Sequence, residues 1–122
     1  MSFEELLVQI GVDGPATVAR LGGMETILRK FILKFPQDPT FPALAHAYDC
    51  RDLEALERHV HTLKGLTANL GIEPLRQLAA AYLTVLRQGA SAEDLVDRQR
   101  GLTQEYRRVV KAISRFLEDH SA

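Results

Sequence analysis

Apolar residues recur along this chain at the three- and four-residue steps of an α-helix, and nowhere do they alternate in the two-residue rhythm of a strand. The clearest run is Leu53, Leu56, Val60, Leu63, Thr67 and Leu70, in steps of 3, 4, 3, 4 and 3 residues. That is the buried seam of a bundle helix. Asp52 is placed to cap its start, and Gly71 suits the left-handed position that closes a helix. Pro74 suits the first turn of the next helix, whose expected core line is Leu75, Leu78, Tyr82, Val85 and Leu86. After a break at Gly89, Ser91 and Asp94 make a capping-box signature. The last helix then carries Leu95, Gln99, Leu102, Tyr106, Val109, Ile113 and Phe116 with the same rhythm.

Upstream the elements are shorter. SFEELLVQI opens with a capping box, Ser2 with Glu5. GPATVARLGG allows a helical turn from about Pro15 to the Gly22–Gly23 pair. Met24, Ile27, Leu28, Phe31 and Phe35 predict a helix that Pro36 ends, and a short helix near Pro42 to Cys50 follows a proline-punctuated turn. Short loops between long amphipathic helices make antiparallel neighbours. The expected fold is all-α: an up-down four-helix bundle with short additional N-terminal helices, forming one domain over residues 1–122.

Composition narrows the function. A chain of 122 residues can bury a core without disulfide or metal staples. Its net charge of −1 gives no electrostatic case for nucleic acid or an anionic membrane as a partner. A single cysteine, Cys50, excludes an internal disulfide and a Cys-rich zinc site. No run approaches the roughly 18 apolar residues of a membrane span, and the N-terminus lacks the basic start of a secretory leader. A cytoplasmic, monomeric protein without membrane insertion is expected.

The segment HVHTLKGLTANLG carries the chemistry. Gly65 sits inside a helix, where it costs roughly 0.5–1 kcal/mol relative to alanine. At about 100° per residue, His59 falls about 60° from the core direction and His61 about 140° away, on the solvent side. The two rings therefore point apart and do not share a metal. His61 shares its face with Lys64, Gly65 and Ala68, that is, with one cation and two nearly absent side chains. An exposed imidazole is largely unprotonated at neutral pH and nucleophilic. The clearance at Gly65 and the ammonium of Lys64 suit close approach by an anionic group such as a phosphoryl.

The motif HTLKGLTANLG resembles that of the histidine-containing phosphotransfer (HPt) domains of two-component phosphorelays. The segment GVDGPATVARLGGMETILRKFILKFPQD is similar to the family's entry region, and ALAHAYDCRDLEALERHVH to its approach to the active helix, so the resemblance spans about 10–118. It implies that His61 is the phosphoacceptor, Lys64 the stabilising cation and Gly65 the clearance position. It also implies shuttling between receiver-domain aspartates, with no kinase activity and no cofactor of its own; Mg²⁺ is expected in the partner receiver. Many members carry Glu or Gln 22 positions after the histidine to hold the ring, and here that position is Leu83. Gln77, one helix face away, is the substitute candidate, and Ala68 and Gln77 are the candidate partner contacts. The alternative is a helical adaptor that binds a receiver without transfer. A stand-alone carrier and a domain of a hybrid sensor histidine kinase both stay open. His46 and His120 read as incidental, His59 as a bundle-edge residue, and the basic positions of the last helix as a solvated face.

Overall fold

Side-chain caps set where the helices begin. In the computed structural model, which describes residues 1–120, Ser2 and Glu5 close a reciprocal capping box on α1 (Phe3–Gln9). Asp13 accepts the Ala16 N–H at the head of α2 (Gly14–Arg20). Asp52 caps α5 (Leu53–Leu70) and Ser91 caps α7 (Ala92–Asp119), each accepting an amide three residues on at 3.1 Å. Each cap satisfies a donor that the helix leaves unpaired, worth about 1 kcal/mol. Between these lie α3 (Glu25–Lys34), a 3₁₀ turn (Phe35–Gln37), α4 (Thr40–Asp49) and α6 (Glu73–Arg87). Among the described residues there is no strand. The protein is an all-helical bundle.

Packing follows chain order: α4 lies on α5, α5 on α6 and α6 on α7, while α1 rests against α7. Every position of the expected α7 line, from Leu95 to Phe116, is buried. Its one amide is satisfied there, since Tyr82 Oη donates to Gln99 Oε1 at 2.9 Å and ties α6 to α7. Burial pushes the Tyr82 phenol up. The polar member of the α5 seam is also accounted for, because the Thr67 hydroxyl donates back to the Leu63 carbonyl at 2.8 Å.

Three parts of the expected core move. On α5, Leu53 is 48% exposed, because it opens the helix at the rim. On α6, Ala79 and Leu83 are buried with Leu75 and Tyr82, while Leu78, Val85 and Leu86 are only half-buried. Its buried stripe is turned because α6 is enclosed between α5 and α7 rather than against one neighbour. On α3, Leu28, Ile32 and Phe35 face inward, whereas Met24 and Phe31 are 53% and 44% exposed. Met24 is the residue before the first turn, and Phe31 stands at an open groove between α3 and α5. The short fourth helix begins at Thr40, two residues before Pro42.

Gly71 closes α5 with φ of 73°. A β-carbon there would also press into the Thr17 hydroxyl of α2, so both backbone and space call for glycine. The Arg20 guanidinium, from the end of α2, donates to the Ala68 carbonyl at 3.2 Å. The last turns of α5 are thereby fastened by the N-terminal segment.

Candidate functional site

The buried seam of α5 decides which residues stand outside. With Leu56, Val60, Leu63, Thr67 and Leu70 inside, His61, Gly65 and Ala68 are exposed and Lys64 is half-buried. His59 is half-buried at the bundle edge. Helical side chains lean toward the N-terminus of their helix, so the Lys64 stem points back toward the His61 turn. A side chain at 65 would lean the same way. Nothing lies within 4 Å of the place its β-carbon would take, so packing inside the protein does not explain Gly65. The helix backbone beside His61 is open to an approaching molecule.

What stands across from the ring follows from the register of two helices. Two residues, Gly71 and Ile72, join α5 to α6, and the helices run back to back. Glu57 of α5 and Arg87 of α6 form an ion pair at 3.6 Å. One turn along each helix from that pair brings His61 level with Leu83. Leu83 is 2% exposed and turned into the core. Gln77 is not a substitute: its amide donates to Glu73 Oε1 at 3.3 Å, in the first turn of α6. The Arg76 guanidinium grips the same carboxylate and holds it below the usual range. Among the described residues, no hydrogen-bond partner holds the His61 ring.

Ala68 keeps an exposed methyl, but its carbonyl is taken by Arg20. The candidate contacts Ala68 and Gln77 therefore lie toward the α5–α6 turn, while His61, Lys64 and Gly65 form the compact group. Among the described residues, no three His, Cys, Asp or Glu side chains gather to hold a metal. No helix there is long and apolar enough to cross a membrane.

Two features escape a reading by helical face alone. Arg58 is exposed one turn before His61 and adds a second cation to that surface. On the other flank, Phe31 and Lys34 of α3, Gln37 of the 3₁₀ turn, and Leu66 and Asn69 of α5 line an open groove. The signal for the groove was an excess of apolar residues on α3. Leu28, Ile32 and Phe35 already fill one buried stripe, which leaves Met24 and Phe31 with no place in the core.

A family model described as the Hpt domain matches residues 26–115. The match runs from α3 through most of α7 and contains His61, Lys64 and Gly65. No curated protein and no solved structure matches the chain.

Proposed function

Because the chain belongs to the Hpt domain family, we propose that it is a phosphorelay intermediate acting through His61. Members of this family carry phosphoryl groups on a histidine in two-component signalling, work with receiver domains, and are carriers rather than enzymes. In this reading a phosphorylated receiver docks over α5. The Nε2 lone pair of His61 attacks the phosphorus of the aspartyl phosphate in line. The N–P bond forms as the O–P bond breaks, the aspartate leaves as carboxylate, and Nδ1 keeps its proton. The ring becomes a phosphoimidazolium, and the reverse step on a second receiver restores it.

Such a step asks mainly for positioning and charge neutralisation. Lys64 neutralises charge on the equatorial oxygens, and Gly65 lets the receiver backbone approach. Mg²⁺ belongs to the receiver in this scheme, and the carrier uses no cofactor of its own. Phe31 and Leu66, bordering the groove beside the active face, supply the apolar docking surface. The sequential contacts of α4 through α7 support an up-down four-helix order. In this reading the chain acts as one cytoplasmic, monomeric unit. A hybrid sensor histidine kinase is a natural source of the phosphorylated receiver.

The carrying observation is an exposed imidazole beside an unobstructed Gly65. The adaptor alternative drew on Leu83, which is packed into the core and leaves the outer face of the ring untouched. On the α7 surface Arg100 and Arg108 pair with Asp97 and Glu105 of the same helix, and the net charge of −1 gives nucleic acid no electrostatic attraction to the chain as a whole. Transfer of label from a phosphorylated receiver to wild type, set against His61→Gln, tests the proposal.

A further inference from the structure

The face of α5 that carries His61 continues beyond Lys64 and Gly65. Seven residues return to the same side of a helix within about 20°, so Ala68 stands in line with His61, about 10 Å along the axis. Ala68 is exposed, and the cation at its level comes from another helix. Arg20, the last residue of α2, donates from Nη2 to the Ala68 carbonyl at 3.2 Å and is itself exposed. A guanidinium has further N–H donors to offer. Among the described residues Arg20 makes no other hydrogen bond and no ion pair. The two carboxylates that border the same hollow are already engaged. Asp13 accepts the Ala16 N–H, and Glu73 is held by Arg76 and Gln77.

Charge along this face is one-sided. Arg58 lies a turn before His61, Lys64 a turn after it and Arg20 two turns after it, while positions 58 to 72 hold no Asp or Glu. The acids of α5, Glu54 and Glu57, precede this stretch, and Glu57 is paired with Arg87. The chain as a whole carries a charge of −1, so its cations are gathered here rather than in excess. Such a strip fits an anionic counter-surface. A standard interface covers about 800 Å² on each partner, a patch about 30 Å across, so a receiver centred on His61 also covers the level of Ala68.

We propose that Arg20 is a specificity-determining residue for the receiver: held by the Ala68 carbonyl, its free N–H groups pair with a carboxylate on the receiver's docking face. The partner in this proposal rests on the carrier reading. The carbonyl fixes the guanidinium before the receiver arrives, which lowers the ordering cost of binding. Arg20 precedes residues 26–115, the part that the family model matches, so the N-terminal segment adds this contact to the shared bundle. It stands two turns from the reacting atoms, and its effect falls on binding rather than on the chemical step.

The test uses the full chain and the isolated receiver domain that binds it most tightly in a screen of receivers. Wild type is compared with Arg20→Ala, Arg20→Glu and the control Lys111→Glu, which makes the same charge change at an exposed position of α7. At low salt Arg20→Glu should bind about tenfold more weakly, chiefly through slower association, and most of that deficit should vanish in high salt as the charges are screened. Arg20→Ala should lose about threefold with the same salt trend. KM for phosphoryl transfer should rise in step with Kd while kcat holds. Lys111→Glu should bind as wild type does. An Arg20→Glu affinity equal to that of the control overturns the proposal. So does a loss that persists in high salt and follows a fall in melting temperature, because Arg20 then serves only to cap α5. If wild type binds the receiver but takes no label from it, the carrier reading fails, while the salt-dependent affinities still decide the role of Arg20. If no receiver binds, both fall.

Discussion

Gly65 follows His61 by one turn of α5, and the space where its β-carbon would stand is empty to 4 Å. A glycine inside a helix weakens it, and neither backbone conformation nor internal packing requires one here. The residue makes sense as room left for something outside the molecule.

Gly65→Leu should therefore fold well and transfer badly. Leucine in an exposed helical position is favoured over glycine by up to about 1 kcal/mol, so the melting temperature should hold or rise. The rate of phosphoryl uptake from a receiver should fall sharply, because the new side chain leans over the approach to His61. An unchanged rate would remove clearance as the reason for this glycine.

Phe31 is 44% exposed on the rim of the groove beside the active face. If the receiver docks there, Phe31→Ser should weaken binding by about tenfold, roughly 1.4 kcal/mol, as loss of an aromatic anchor does. Thermal stability should change little. Isothermal titration with a receiver separates the outcomes, and unaltered affinity would place docking on another face.

The buried hydrogen bond from Tyr82 to Gln99 makes a prediction about stability. Tyr82→Phe strips the Gln99 carbonyl of its donor in the core, which should cost about 1–3 kcal/mol by chemical denaturation. The same phenol sets a pH dependence. Burial raises its pKa in the folded chain, whereas in the unfolded chain it ionises near pH ~10. Above that pH the unfolded state loses a proton that the folded state keeps, so stability is fully present below pH ~10 and declines as pH rises. Tyr106 is raised by burial too and contributes in both proteins. Denaturation midpoints between pH 8.5 and 11 should fall more steeply in wild type than in Tyr82→Phe.

How legible each part was in the sequence depends on how many neighbours an element has. The α7 line was readable residue by residue, because one long helix set against the rest of the bundle needs a single stripe. The α6 line was readable only in Leu75 and Tyr82; two flanking helices decide between Leu78 and Ala79, and that choice is tertiary. On α3 the pattern could not say which apolar residues face out, since Met24 and Phe31 keep the helical spacing while standing in solvent. At the site, one helix carries His61, Lys64 and Gly65, so spacing alone aligned them. The Glu57–Arg87 pair joins two helices, and its register is written in neither.

The most direct measurement offers the protein a receiver carrying labelled aspartyl phosphate, then follows the label into this chain and its His61→Gln variant. The account predicts rapid labelling of wild type, through a bond that survives base and breaks in acid, and none in the variant. Equal labelling of both proteins, or a label that base removes, would contradict it.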